Sequence, residues 1–350
     1  MKIEANNNTR LVQSDLIRCI AMVFVISVHT VNYYFDGNAA QLLQAIFFTC
    51  NPLFFMLSGK FNLAKEFRSA EDIIDWYKHK ISVLVVPFVF YSFLLYTWKN
   101  VHTTPLYYMA YWVGFIKGLF TGQIATHLWF MYWMIGITLS TPFVAIIIRC
   151  LDNKQLSALL LIGMGWNTVA ILVYADIFGN APFPFQGWIF PEWFIYLILG
   201  YTLEKIKNKR HITWIIVAGA VSLIITYVQK TSLAEVVVAK NAYDISPLFT
   251  IFVVGVYILF DKVLIIKTDF VKQILTRLSK HTYSIYLFHS VFLGRVNNFI
   301  MSLNLKCAVS FILAVLTIVV VALVVTAIID FMLLNVLIKH VDNFLRKRKI

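Results

Sequence analysis

The stretch "SDLIRCIAMVFVISVHT", residues 14–30, is apolar enough for the interior of a bilayer, yet it begins with Asp15 and Arg18 and ends with His29. An α-helix satisfies its own backbone hydrogen bonds, so an apolar run of this kind predicts a membrane-spanning helix. The run extends past Val31 without an A-x-A-like cleavage site, so we expect it to be retained. Charged and titratable side chains are costly inside a membrane, and these three therefore need partners or a function.

The composition of the whole chain is that of an integral membrane protein. Of its 350 residues, 60% are hydrophobic and only 13% are charged, and the mean hydropathy of +0.77 is too high for a water-exposed surface. The cysteines lie apart in apolar stretches, without the spacing of a metal site or a disulfide framework. We therefore expect packing cysteines and no metal site.

The net charge of +13 would suggest a nucleic-acid partner in a soluble chain. In a membrane chain it indicates loops that face the cytoplasm, because Lys and Arg concentrate on that side. We therefore expect a lipid bilayer as partner and no nucleic acid.

Ten apolar windows approach the roughly 20 residues that a membrane span needs. They lie at 12–34, 40–58, 81–98, 127–148, 156–177, 188–203, 212–228, 246–264, 283–301 and 308–335. The expected fold class is all-α, a polytopic membrane helix bundle of about ten transmembrane helices. No linker or low-complexity tract interrupts the chain, so residues 1–350 are expected to form a single domain.

The aromatic segment 105–122 is an eleventh candidate for a span, and loop charges decide against it. If it does not cross and the N-terminus lies inside, the basic residues of 60–80, 204–211 and 262–280 and the tail "RKRKI" all fall on the cytoplasmic side. If it crossed, the cluster "EKIKNKRH" and the tail would lie outside. We therefore expect both termini in the cytoplasm and a re-entrant or interfacial segment at 105–122.

Helical geometry places the polar residues of the opening stretch on one stripe. Arg18 and His29 are eleven residues apart, which leaves them roughly 20° apart around the helix and about 16 Å apart along it. Asp15 lies within side-chain reach of Arg18. If this ion pair sits at the cytoplasmic interface, His29 lies near the middle of a hydrocarbon layer about 30 Å thick. In the alternative, Asp15 and Arg18 snorkel at the boundary, and His29 forms an interhelical hydrogen bond near the outer interface.

Other polar residues interrupt the apolar windows, and each has an ordinary structural explanation. His289 in "YSIYLFHS" suits a packing histidine, and His127 in "THLWFMYW" suits an interfacial aromatic belt. Glu192 in "FPEWFIYLILGY" suits the N-terminal end of a helix. Lys78 and Lys80 in "WYKHKISVLVVP" suit a cytoplasmic loop. Their order along the chain carries more information than any one of them.

In series, these segments resemble acyltransferase family 3, a family of integral membrane proteins. The similarity covers most of the chain in family order. The segments that carry it are "DLIRCIAMVFVISVH" (15–29), "PLFFMLSGKF" (52–61), "HLWFMYWMIG" (127–136), "FIYLILGYTL" (194–203) and "LSKHTYSIYLFHS" (278–290).

Members of this family typically have ten spans and move an acyl group, often acetyl, from a cytoplasmic acyl-CoA to a carbohydrate hydroxyl. The resemblance implies an O-acetyltransferase of the bacterial cytoplasmic (inner) membrane, with acetyl-CoA as donor substrate and no bound cofactor. The implied acceptor is a surface polysaccharide or its lipid-linked glycan precursor. Some relatives carry an extracellular hydrolase-like domain, and we expect this chain to be a stand-alone member that decorates surface glycans.

The resemblance also assigns roles to residues. The family's Arg/Lys-x10-His element falls on Arg18 and His29, the pair that helical geometry selects. This implies His29 as the general base, Arg18 as the residue that binds the donor, and Asp15 as the group that holds Arg18. A second basic element of the family is only partly present, since Lys78 and Lys80 precede the third-helix proline with different spacing and without an arginine.

The remaining polar residues are candidates for the substrate cavity. We expect His127, Glu192 and His289 to line it, and His289 lies within a family-like motif. The alternative function is a polysaccharide or lipid-linked sugar exporter, because ten spans with polar residues near the midplane also fit a transporter. No second half of the sequence repeats the motif set. A non-catalytic assembly subunit is a third interpretation.

Overall fold

The computed structural model describes residues 4–169, 193–232 and 246–347. Within these ranges the regular structure is helical and contains no strand, which confirms the all-α prediction for them. The α-helices of these ranges are α1 (Glu4–Thr30), α2 (Gly37–Phe47), α3 (Cys50–Asn62), α4 (Ala70–Lys80), α5 (Val86–Asn100), α6 (Met109–Thr121), α7 (Trp129–Cys150), α8 (Asn153–Thr168), α9 (Phe194–Thr202), α10 (Lys209–Ser232), α11 (Pro247–Ile258), α12 (Asp269–Ser279), α13 (Thr282–Phe288), α14 (Ser290–Ser302), α15 (Cys307–Ile329) and α16 (Asn335–Lys347).

Several helical segments are long and apolar enough to cross a membrane. In the described part of the chain there are six, and each overlaps a predicted window. They are Val12–Tyr33, Gly37–Asn62, Ala70–Asn100, Thr126–Cys150, Lys209–Gln229 and Cys307–Arg346.

The other predicted windows are helical but shorter, or extend beyond the described residues. Windows 156–177 and 188–203 lie partly outside the described ranges. Window 246–264 contains α11, which continues into a π-helical turn, and window 283–301 is divided at His289 between α13 and α14. The total of ten spans and the cytoplasmic position of both termini therefore stay predictions.

The segment 105–122 contains one short helix, α6, which ends at Gly122 in the left-handed conformation with φ of 72°. A helix of 13 residues rises only about 20 Å, less than the hydrocarbon thickness of about 30 Å. The length of α6 is thus compatible with the re-entrant or interfacial position that the loop charges predict.

The surface of helix α15 is suited to a lipid bilayer. Every fourth residue on one side is apolar and more than half exposed: Ile312, Leu316, Val320, Val324 and Ile328. The residues midway between them are buried and mostly small: Ser310, Ala314, Ile318, Ala322 and Thr326. In water the exposed stripe would be an aggregation hazard, whereas lipid tails accept it and the small residues let neighbouring helices approach.

The described chain divides into two compact units. Residues 1–66 and 143–280 form the first unit, and residues 67–142 and 281–350 form the second. Whether they work as the single domain expected from the sequence stays a prediction. The first unit contains the polar stripe of α1, and the second contains His127 and His289.

In the first unit, α3 and α9 cross at two glycines that belong to the family-like segments. A Cβ on Gly59 would lie 1.8 Å from the carbonyl oxygen of Leu197, and one on Gly200 would lie 1.9 Å from that of Met56. Any side chain at either position would collide with the backbone of the facing helix. The glycines in "LSGKF" and "LILGY" are therefore explained by this contact.

We expect Gly200→Ala to lower the thermal midpoint of the detergent-solubilised protein markedly. The methyl group must push α3 and α9 apart, and overpacking of this kind costs about 1–3 kcal/mol or more. Gly165→Ala is the matched control, because a Cβ at this position of α8 would meet nothing within 4 Å. Equal midpoints for the two variants would contradict the close crossing.

In the second unit, the buried Asp330 collects hydrogen bonds from two helices. It lies directly after α15, and its Oδ1 accepts from the Tyr91 hydroxyl at 2.7 Å and from the Ser284 hydroxyl at 3.0 Å. His281 Nδ1 lies 3.5 Å from the other carboxylate oxygen. A carboxylate among apolar helices needs such partners, so this cluster ties α5, α13 and the end of α15 together.

Candidate functional site

The polar stripe of the opening stretch lies on one uninterrupted helix. Helix α1 runs from Glu4 to Thr30, so the helical geometry that relates Arg18 to His29 holds over their whole separation. Arg18 Nη1 lies 2.8 Å from Asp15 Oδ1, which confirms the predicted reach between these two side chains. The Asp15 side chain is largely buried, and that of Arg18 keeps about a third of its surface, 34%, exposed.

A second contact orients the Arg18 guanidinium. Its Cζ lies 5.2 Å from the centroid of the Phe61 ring, at the end of α3. The cation is thus held by a carboxylate through one nitrogen and by a ring face, and no other described residue forms a hydrogen bond with the guanidinium. A planar fork fixed in this way suits bidentate binding of phosphate or carboxylate oxygens.

His29 lies in the last turn of α1 and is exposed, whereas Ser27 and Thr30 beside it are buried. The candidate span runs from Val12 to Tyr33. His29 lies about one turn before its C-terminal end, and Arg18 lies six residues after its first residue. A residue with exposed surface can meet a substrate, as a general base must. Its depth in the bilayer stays a prediction.

In the second unit, His127 and His289 come together although they are far apart in sequence. Their ring centroids are 4.9 Å apart, and both residues are buried. His289 Nδ1 lies 2.7 Å from the Tyr286 carbonyl oxygen, and His127 Nε2 lies 3.2 Å from that of Leu287. A carbonyl oxygen only accepts, so each of these nitrogens carries a proton. The structure thus pairs two of the predicted site residues through the backbone of α13.

Lys78 and Lys80 lie near the end of α4 and point in different directions. Helix positions that are two residues apart in sequence lie about 200° apart around the axis, so the two amines do not share a face. Lys78 Nζ lies 3.6 Å from Asp75 Oδ1, and Lys80 Nζ lies 5.3 Å from the centroid of the Trp76 ring. A common role in binding one phosphate has no support in this arrangement. Glu192 lies outside the described residues.

The sequence did not reveal a buried ion cluster next to Phe61, the residue whose ring contacts Arg18. Lys60, counted among the cytoplasmic loop charges, is only 3% exposed. Its Nζ lies 2.9 Å from Glu204 Oε1 and 2.5 Å from Asp261 Oδ1. Lys60 immediately precedes Phe61, the residue on which Arg18 rests. The signal in the sequence was a lysine directly after the apolar "LFFMLSG" run, which needs a carboxylate if it is buried.

The α1 stripe offers two of the groups that acyl transfer needs. Arg18 is a guanidinium held by Asp15 and the Phe61 ring, and His29 is an exposed imidazole on the same helix. Among the described residues, no three His, Cys, Asp or Glu side chains come together as metal ligands would.

Comparison with known proteins gives one family. The model of the family described as an acyltransferase domain matches residues 11–331. No curated protein and no solved structure matches the chain. The matched range includes most of α1 with Arg18 and His29, the glycine crossing, and the His127–His289 pair.

Proposed function

Because this chain belongs to acyltransferase family 3 and is a membrane acyltransferase, we propose that it is an O-acetyltransferase that modifies a glycan. The donor is a cytoplasmic acyl-CoA, with acetyl-CoA as the first candidate. The acceptor is a hydroxyl of a surface polysaccharide or of its lipid-linked precursor. The proposed location is the bacterial cytoplasmic membrane, crossed several times.

One observation carries this proposal. A single unbroken helix presents a guanidinium held by Asp15 and Phe61 and, about 16 Å further along a similar direction, the exposed imidazole of His29. A phosphate of the donor bound at Arg18 would leave the pantetheine arm free to follow the helix toward His29. The thioester is then presented to the base while the nucleotide stays at the cytoplasmic end.

In the proposed step, His29 accepts the proton of the acceptor hydroxyl as its oxygen attacks the thioester carbonyl carbon. A new C–O bond forms and gives a tetrahedral intermediate with a negatively charged oxygen. The C=O double bond then forms again as the C–S bond breaks. The leaving thiolate takes the proton from the imidazolium, so the histidine returns to its neutral form. In a variant of this mechanism His29 itself becomes acylated, and the acceptor hydroxyl then removes the acyl group.

The other predicted residues are assigned to the substrates. We place His127 and His289 in acceptor binding, because their paired rings offer hydrogen-bond groups of the kind that sugar hydroxyls use. Glu192 is assigned to the same role on sequence grounds. For Lys78 and Lys80 we retain only a weak electrostatic contribution to donor binding, because the two amines point apart.

The direct test is acetyl transfer by the purified full chain in vesicles. Acetyl-CoA labelled in the acetyl group is supplied together with surface glycan from cells that lack the gene, and mass spectrometry follows the label. We expect labelled O-acetyl groups on the glycan. Intracellular glycan accumulation upon gene deletion, without loss of acetyl groups, would support an exporter instead, and no transfer to any glycan would support an assembly subunit.

We expect Arg18→Ala to raise the KM for acyl-CoA by roughly tenfold to a hundredfold, the size of one lost hydrogen-bonded charge contact. The effect on kcat should be smaller, because phosphate binding is remote from the reacting carbonyl and equal in ground and transition states. Initial rates measured over a range of acyl-CoA concentrations separate the two.

Arg346→Ala is the control for this variant. Arg346 also pairs with an aspartate on its own helix, at 2.8 Å from Asp342, but lies near the chain end and is mostly exposed. Its replacement should leave the donor KM unchanged. An unaltered KM in Arg18→Ala would remove the anchoring role of Arg18.

A further inference from the structure

A cavity of about 540 Å³ lies in the first unit, apart from the α1 stripe. It is formed where the start of α8, the end of α9 with the turn after it, and the start of α10 meet. Its volume is within the range of about 300–1,000 Å³ that is usual for small-molecule sites. The polar residues that line it include Asn153, Lys205, Lys207, Asn208 and His211.

The mouth of this cavity carries lysines that no described carboxylate neutralises. Lys205, Lys207 and His211 are exposed, and no carboxylate of the described chain lies within ion-pair distance of them. Lys205 Nζ is instead 3.5 Å from Asn153 Oδ1 and 5.1 Å from the centroid of the Tyr201 ring.

The two described acids nearest to these lysines in the sequence have other partners. Glu204 is the acid of the run "EKIKNKRH", and it lies 2.9 Å from the buried Lys60. The nearby Asp152 accepts from the backbone amides of Lys154 and Gln155 at the start of α8. Both carboxylates therefore serve the fold, and the charge at the mouth is left for a ligand.

The cavity has an apolar side next to its cationic mouth. Leu156 and Leu160 are four residues apart on α8, and Leu199 and Leu203 have the same spacing at the end of α9. Each pair lines about 6 Å of its helix. A ligand that fills the cavity would thus place an anionic group among the lysines and an apolar part against the leucines.

We propose that this cavity binds the phosphate group of an anionic amphiphile, with Lys205, Lys207 and His211 as its binding residues. Two molecules carry this chemistry at a cytoplasmic membrane face: an anionic phospholipid, and the nucleotide end of an acyl-CoA. The second source rests on the proposed function; the first does not. Lysine amines bind phosphate as point charges, and the asparagine amides add neutral donors.

The test measures binding by the purified full chain in a neutral detergent, without acceptor and without turnover. Adenosine 3′,5′-bisphosphate is titrated calorimetrically, and dioleoyl phosphatidylglycerol is counted by native mass spectrometry against dioleoyl phosphatidylcholine. We expect Lys205→Gln combined with Lys207→Gln to weaken binding of at least one phosphate probe by roughly tenfold or more. Both side chains are exposed, so the fold should survive, and the thermal midpoint checks this.

Lys267→Gln combined with Lys280→Gln is the matched control, since it removes the same charge from two exposed lysines of the same unit, on either side of α12. Loss of phosphatidylglycerol alone would identify the lipid, and loss of the bisphosphate would identify the nucleotide; either supports the site. Binding of both probes equal to the parent protein, or equally weakened by the control, would overturn it. Because no acetyl transfer is measured, this result is independent of the proposed reaction.

Discussion

His29→Ala is expected to lower the rate of acetyl transfer by roughly 10²–10⁴-fold, the usual contribution of a positioned general base. The acceptor hydroxyl would then have to lose its proton to water, while the donor still binds at Arg18. We therefore expect kcat to fall while the KM for acyl-CoA stays close to that of the parent protein. Initial rates with labelled acetyl-CoA in vesicles measure both constants.

The control is His102→Ala, which removes another exposed histidine, in the turn before α6. This variant should keep the parental rate. A His29→Ala protein that is inserted normally and transfers acetyl groups at the parental rate would exclude His29 as the base. A rate lost in His29→Ala, with a labelled acyl-histidine trapped in the parent protein, would favour the two-step variant.

Lys60→Ala is expected to cost about 3–5 kcal/mol of stability, because it removes the cation shared by two largely buried carboxylates, those of Glu204 and Asp261, and leaves only Lys262, 3.8 Å from Asp261 Oδ2. The consequence should also reach Arg18, since Phe61 follows Lys60 on α3. We expect a large fall in the thermal midpoint and a weaker donor affinity in whatever protein remains folded. Thermal unfolding in detergent measures the first, and acyl-CoA titration the second.

Two further variants show whether the loss of stability comes from unpaired buried charge or from the loss of a lysine side chain as such. Lys272→Ala breaks an exposed pair with Asp269 and should cost at most about 1 kcal/mol. Lys60→Met together with Glu204→Gln and Asp261→Asn removes all three charges and should recover much of the lost stability. If Lys60→Ala is as stable as Lys272→Ala, the cluster does not hold α3 to the turns after α9 and α11.

The sequence was most informative about features that are encoded within one helix. Hydropathy and charge order predicted the membrane class, and the spans found among the described residues overlap predicted windows. The pairing of Asp15 with Arg18 followed from their spacing alone, because α1 is continuous from one end of the stripe to the other. The loop charges predicted that segment 105–122 does not cross the membrane, and the short length of α6 is compatible with that prediction.

Features that join helices distant in sequence were not predictable in the same way. The sequence gives no spacing that relates His127 to His289, and His289 on its own suits a packing residue. Lys60 looks like an ordinary loop lysine until the turns after α9 and α11 bring Glu204 and Asp261 to it. Gly200 at the end of an apolar helix is uninformative until α3 is seen to press against it.

By itself, the sequence determined that this chain is a helical membrane protein with a cation and an imidazole on one stripe of its first helix. Both follow from local periodicity and hydropathy, which act over about 20 residues. Only the tertiary structure decided which charges are buried, which ring supports Arg18, and where unneutralised lysines surround a cavity. Those properties depend on which helix faces which, and that choice is made by close packing between segments far apart in the chain.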